Sequence, residues 1–271
     1  MNDDEDGATV VELADRLWRA EVDRTPIEPI TETRPDLTLN DAYAIQAYNV
    51  RRRVEAGRAI RGCRLGRTSQ PRQDILGVAE PDFGMLIDDM FVDDGAEVPV
   101  DSLLQPRVMG AIGFMLADDL AGPGVTTADA LNAVGGVLPV IEIVDSRIAD
   151  WRVQLADTVA DNASSGRVVL GSRVTAATTV DLRLVGLLLY RNGVAIESGA
   201  GAAALGNPVR CLTWLANRLP PPQRGLRKGD IVLSGPLHRL VPARRNDVYH
   251  AEFAHLGSVS VGFRPGDGTA A

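Results

Sequence analysis

Metal-binding cysteine pairs, clusters of basic residues and long apolar runs are all missing from this sequence, and each absence removes a class of function. The 271 residues include two cysteines, Cys63 and Cys211, which lie far apart and match no metal-ligand spacing. They read as reduced, partly buried thiols of a cytoplasmic protein. The formal net charge is -8 and there is no basic run, which argues against nucleic acid and anionic membranes as partners. No apolar stretch approaches the roughly 20 residues that cross a bilayer. The opening Met1-Asn2-Asp3-Asp4-Glu5-Asp6-Gly7 is acidic where a signal peptide is basic. The expectation is a soluble cytoplasmic protein with no membrane partner. There is no internal repeat, no Gly-x-Gly-x-x-Gly or P-loop signature and no Gly-x-Ser-x-Gly elbow. His238, His250 and His255 show no ligand spacing. Neither a Ser-His-Asp triad nor a histidine metal centre is expected.

Hydrophobic residues at 45% and charged residues at 24% are enough for a sizeable core and exclude global disorder. Residues 1–7 read as a frayed tail. From Ala8 to Asp23, Val11, Leu13, Leu17, Trp18 and Val22 recur at helical spacing. Leu39-Asn40-Asp41 opens a second helix, which Gly57 ends. From Ile60 the texture changes to short apolar segments separated by Gly, Pro, Asp and Asn. Strands are predicted over 61–65, 108–116, 137–144, 168–170, 182–191, 230–233 and 258–263. Asn192-Gly193 marks a hairpin turn. Helices are predicted over 126–133 and 208–218, the second with Asn207-Pro208 as N-cap and N1. The tail from Arg264 to Ala271 reads as loose. Unequally spaced strands with few helices between them indicate an α+β roll and not a doubly wound sheet. The chain divides into an N-terminal helical region, 1–60, and a second unit, 61–271.

Several segments together resemble the 2-hydroxypenta-2,4-dienoate hydratase and 4-oxalocrotonate decarboxylase family, within the fumarylacetoacetate hydrolase fold superfamily. They include Gly77-Val78-Ala79-Glu80-Pro81-Asp82-Phe83-Gly84, Leu104-Gln105-Pro106-Arg107 and Leu138–Arg147. Asp150-Trp151, Asp157-Thr158-Val159-Ala160-Asp161-Asn162-Ala163-Ser164-Ser165 and Arg227-Lys228-Gly229-Asp230 also match. The match runs in order from about residue 10 to 263. The resemblance implies a mixed β-roll or sandwich with flanking helices, a homo-oligomer, and a site holding Mg²⁺ or Mn²⁺ through three glutamates. A lysine, an aspartate and a serine are implied around a 2-oxo acid substrate.

Carried over by position, the third glutamate is Glu142, the aspartate is Asp82 and the serine is Ser164. The first two glutamates are replaced by Met109 and Ala111, and the lysine by Arg64. Arg67 stands where an apolar residue is usual, while Thr68 and Ser69 keep the small polar texture. A thioether is a poor ligand for a hard dication and a methyl group is none. No metal cofactor is therefore expected, and guanidinium groups are expected to supply the positive charge at the site. Asp82, Glu142 and Arg64 are the candidate catalytic residues. Arg64, Arg67, Ser164, Asn162 and Met109 are the candidate substrate-binding residues. Each has a structural reading as well: Glu142 as a carboxylate paired with an arginine, Asp82 as a turn cap, and Ser164 as a loop hydrogen bond. Arg67 reads equally as a solvated charge, and Arg107 as a brace for a strand end.

The expected activity is that of a hydratase- or decarboxylase-like lyase acting on an unsaturated 2-oxo acid or a related enolisable carbonyl compound. Isomerisation and cyclisation are the repurposed versions of that chemistry. The competing expectation is a non-catalytic homologue serving as partner subunit or small-molecule binder.

Overall fold

The computed structural model describes residues 3–68, 80–219 and 225–266. Ser69, Gly77-Val78-Ala79 and residues 267–271, on which parts of the sequence reading fall, lie outside them.

Three helices come first: α1 (Asp3–Asp23), α2 (Ile30–Thr33) and α3 (Leu39–Glu55). Helix α1 starts at Asp3 and not at Ala8, so residues 3–7 of the expected tail are helical. The cap of α3 is Thr38, whose hydroxyl accepts from Asp41 N at 3.2 Å while Thr38 N donates to the Asp41 carboxylate at 3.0 Å. That capping box puts the cap one residue before the predicted Leu39-Asn40-Asp41, and the helix itself starts at Leu39. Gly57, at φ 90, ends the helix as expected. The apolar faces of α1 and α3 meet residues 148–160 in one cluster that includes Leu13, Leu17, Ile45, Ile148 and Val159.

The rest forms two sheets. The larger contains β1 (Ile60–Gly66), β2 (Asp82–Ile87), β3 (Phe91–Val92), β5 (Pro106–Leu116), β6 (Val134–Asp145), β7 (Ser165–Leu170), β10 (Ile231–Leu233) and β11 (Val241–Pro242). Its order is β2-β1-β10-β5-β6-β7-β3, with β11 paired to the start of β5. The smaller runs β4-β13-β12-β8-β9, built from β4 (Glu97–Pro99), β8 (Gly186–Arg191), β9 (Val194–Ala200), β12 (Val248–Phe253) and β13 (Gly257–Arg264). Three short helices flank the sheets: α4 (Thr127–Ala133), α5 (Leu155–Ala160) and α6 (Val209–Arg218).

The α+β expectation matches this architecture. Strands β5 and β6 are nearly continuous apolar runs because both their faces are covered. On one face, Ile112, Phe114, Ile141 and Ile143 pack with Leu187, Phe253 and Val261 of the smaller sheet. On the other, Ala111, Val140, Leu138 and Leu233 pack with Val50, Leu86 and Met90. The predicted strand 182–191 begins only at Gly186, because Asp181 accepts from Arg183 N and turns 182–184 into a 3-10 element. Strands β2 and β12 were not among those predicted. No described helix is long and apolar enough to cross a membrane.

Candidate active site

The candidate residues come from two pairs of consecutive strands, β1 and β2 and, further along the chain, β5 and β6. Arg64 lies on β1, Asp82 opens β2, Met109 lies on β5 and Glu142 on β6. Register sets Gly66 opposite Asp82. A Cβ at residue 66 would lie 2.2 Å from Asp82 Oδ1, so glycine is what leaves room for the carboxyl group. Register also sets Met109 opposite Glu142, which places Met109 and Ala111 on the Glu142 side of the sheet.

Arg64 and Glu142 form a buried ion pair, Nε to Oε1, with their side chains 5% and 1% exposed. The contact is close but not aligned as a hydrogen bond: Arg64 Nε and both Glu142 oxygens have no directed hydrogen-bond partner. Arg64 Nη1 donates instead to the Ala163 carbonyl. Burial pushes the Glu142 carboxyl up from 4.5 to about 7; Arg64 pulls against this and the charge of Asp82 adds to it. The larger effect is desolvation, as expected for a carboxylate taken fully out of water.

Asp82 is buried, and among the described residues neither carboxylate oxygen meets a hydrogen-bond donor. It therefore does not cap a turn. Arg67 lies just past β1 at φ 53, a left-handed conformation uncommon outside glycine. It is also buried, so it is not the solvated charge of the alternative reading. Its Nη2 donates to Thr158 Oγ1 at 2.9 Å. Burial lowers the pKa of its guanidinium, while Asp82, Asp157 and Tyr43 act in the opposite sense.

The segment Asn162-Ala163-Ser164 takes three successive left-handed conformations, φ 52, 52 and 54. Such a backbone persists only where its surroundings fix it. Asn162 does part of that fixing: its Oδ1 accepts from Met85 N at 2.7 Å and its Nδ2 donates to Met85 O at 2.9 Å. Ser164 Oγ donates to Asp161 Oδ2 at 2.9 Å. Asp161 is in turn ion-paired with buried Arg147, whose Nη1 reaches the Asp145 and Ser165 carbonyls at 2.7 and 2.9 Å. Burial pushes the Asp161 carboxyl up to about 6, with Arg147 and the Ser164 hydroxyl opposing.

These groups surround a cavity of about 340 Å³ whose wall includes Arg64, Arg67, Asp82, Met109 and Ser164. Glu142 stands behind Arg64. Asn162 stands beside the cavity with its amide engaged by Met85, so the geometry gives it a bracing role and not the expected substrate contact. His238 is likewise satisfied, with Nε2 accepting from Gly110 N at 2.8 Å and Nδ1 directed at the Arg239 carbonyl at 2.6 Å. The sequence reading gave Arg107 the role of a strand-end brace and quoted Trp151 only within a matching segment; both line the same cavity. Arg107 sits two residues before Met109 on one face of β5. A larger opening of about 1100 Å³ lies along α6, but its charged groups Glu80, Arg210 and Arg218 are exposed. Among its described polar lining residues Thr68 alone is buried, so the several convergent buried polar groups that distinguish a binding site are not seen there.

The fumarylacetoacetate (FAA) hydrolase C-terminal family matches residues 47–264. A 2-keto-4-pentenoate hydratase of Paraburkholderia xenovorans is 44% identical over 252 residues, 93% of this chain and 94% of that one. A 2-oxo-hept-4-ene-1,7-dioate hydratase of Escherichia coli is 39% identical over 257 residues, 93% and 96% of the two chains. The 4-oxalocrotonate decarboxylase of Pseudomonas putida G7, solved with magnesium and adipate, superposes with a TM-score of 0.90. It is 35% identical, covering 94% of this chain and 97% of that one.

Proposed function

The chain belongs to the fumarylacetoacetate hydrolase family, and on that premise we propose that it is a lyase-type enzyme which enolises a 2-oxo acid or related carbonyl compound without a metal ion. The observation that carries this reading is the cavity itself: buried Arg64 and Arg67 beside Asp82, whose oxygens accept no hydrogen bond among the described residues. The names of the relatives, hydratases and a decarboxylase of 2-oxo acids, support the substrate class.

The donor set does not suit Mg²⁺ or Mn²⁺. Hard dications take several oxygen ligands. The positions facing Glu142 across β5 are a thioether and a methyl group, and Glu142 is already paired with a guanidinium. Among the described residues no three His, Cys, Asp or Glu side chains converge as a metal-holding group. In the proposed reaction, Arg67 and Arg64 hold the substrate carboxylate and carbonyl oxygen. Asp82 takes a proton from the carbon next to the carbonyl. The electron pair moves to the carbonyl oxygen, where a fixed guanidinium in a dry site stabilises the developing enolate. Ser164 orients the substrate, and Met109 shapes an apolar wall. Addition of water, loss of CO₂, isomerisation or ring closure are the fates open to that enolate.

A second reading, a binding or partner subunit without catalysis, is favoured by one observation: Arg64 is already neutralised by Glu142. We further propose a cytoplasmic homo-oligomer in which 61–271 is the catalytic unit and 1–60 a helical region packed against it. The exposed Leu188, Val194 and Val248 on the smaller sheet favour assembly. Incubating chelator-treated protein with a panel of 2-oxo acids, followed by NMR, tests the enzyme reading. Conversion of one acid supports it; binding without conversion supports the second.

A further inference from the structure

We propose that the proton Asp82 takes from the substrate leaves on the far side of that carboxylate, through a second, water-holding cavity in which Tyr43 and Glu80 form the relay to solvent. This rests on the reading of Asp82 as the proton acceptor and adds the route by which its carboxylate is restored.

The second cavity, of about 220 Å³, is lined by Leu39, Tyr43, Glu80, Leu155, Val159 and Arg218 together with Pro81 and Asp82. Asp82 is the one described residue common to its wall and to that of the substrate cavity. The two spaces therefore meet at a single carboxylate, and no donor among the described residues holds either of its oxygens. An ionised carboxylate has acceptor positions on both oxygens, so this one can take a proton on one side and release it on the other.

Helices build the outer space. Leu39 and Tyr43 lie one turn apart on α3, and Leu155 and Val159 one turn apart on α5, so each pair shares a helix face. The N-terminal helical region thereby reaches Asp82. The Tyr43 ring is fixed by stacking on Phe83, with centroids 4.6 Å apart and planes at 21°. Burial, and after it the charge of Asp82, raises the pKa of the Tyr43 hydroxyl, while a hydrogen bond to the Phe83 backbone and the charge of Arg218 oppose. The hydroxyl keeps its proton and feels the Asp82 charge. Glu80 and Arg218 are exposed and also border the larger opening along α6, so the outer cavity leads to solvent. Its volume takes several waters.

Charge sets the direction. On the substrate side Arg64 and Arg67 are buried cations, and they repel a migrating proton where the surroundings are dry. On the outer side the relay ends at the Glu80 carboxylate, and the Arg218 charge there is screened by solvent. In the step itself the Asp82 O–H bond breaks and its proton passes to a water of the outer cavity. The Tyr43 oxygen accepts a proton from that water while its own proton moves to the next. Glu80 takes the last proton and yields it to bulk water. Asp82 is left as the carboxylate, with no further reactant consumed.

Washout of deuterium from 2-oxopentanoate labelled at the carbon next to the carbonyl tests this, followed by NMR in water with chelator-treated protein. The wild type is expected to exchange at a rate independent of buffer concentration. Tyr43→Phe keeps the ring stack, and Glu80→Gln changes an exposed side chain. Each is expected to slow washout about tenfold in dilute buffer, with affinity for the acid unchanged. Formate or imidazole, small proton carriers that fit the outer cavity, is expected to restore the rate in both variants, which a structural defect would not allow. Wild-type rates in both variants overturn the inference and leave the enolisation reading standing. A loss that neither carrier restores also overturns it, because the damage then lies in the fold or in the substrate cavity. If the wild type itself shows no washout, both readings fall.

Discussion

Arg64 and Glu142 are joined across the larger sheet although β10 and β5 lie between their strands. The reach is possible because β5 presents Met109 and Ala111 on that face and no competing carboxylate. Removing one partner leaves the other buried and unpaired. Glu142→Ala or Arg64→Met is expected to lower stability by about 3–5 kcal/mol. The double variant Arg64→Met/Glu142→Met should be far less destabilised than the sum. Urea denaturation of the four proteins gives the cycle.

Stability should also depend on pH through Glu142. Its carboxyl is raised in the folded protein, so the protonated form is favoured there. Its contribution is fully present below 4.5 and is lost as pH rises through about 7. Asp161 acts with the same sign between 3.8 and about 6. Glu142→Gln removes the first of these slopes. Unfolding measured at several pH values should show the wild type losing stability relative to the variant between pH 4.5 and 7. Protonation of Glu142 also releases Arg64, so carboxylate ligands should bind more tightly at pH 6 than at pH 8.

Asp82→Asn should retain binding of a 2-oxo acid and lose turnover by about 10²–10⁴-fold, the usual contribution of a positioned proton acceptor. Steady-state kinetics with a parallel binding measurement separates the two effects. Asn162→Ala breaks both bonds to Met85 and should cost about 1–3 kcal/mol. Its activity loss should follow from the displaced Ala163 carbonyl and Ser164 hydroxyl, not from a lost substrate contact.

Much of the fold was legible because its pattern is local. The helical spacing of 8–23, the Asn192-Gly193 hairpin and the Asn207-Pro208 start each carry their signal within a few residues. The Asn207 Oδ1 bond from Val209 N, at 3.1 Å, is what that last signal implied. Strand β12 carries a strand pattern that the sequence reading passed over: buried Tyr249, Ala251 and Phe253 alternate with His250 and Glu252. In the site, Arg64, Arg67, Asp82 and Ser164 converge, as position against the family pattern suggested. The role of Asn162 was not legible, since it depends on Met85, which its side chain meets far along the chain.

Placing carboxylates at 109 and 111 should create a metal-holding group of a kind not found among the described residues. Met109→Glu/Ala111→Glu brings three carboxylates together and should destabilise the protein in chelator. Adding Mg²⁺ or Mn²⁺ should raise its melting temperature by several degrees. The wild type is expected to show no metal-dependent rise in the same thermal scan.

The most direct measurement is solvent-deuterium exchange at the carbon next to the carbonyl of a bound 2-oxo acid, followed by NMR in chelator-treated protein before and after adding Mg²⁺ or Mn²⁺. The account predicts enzyme-dependent exchange in chelator, unchanged by either ion and abolished in Asp82→Asn. Exchange that begins only when the ion is added would contradict it.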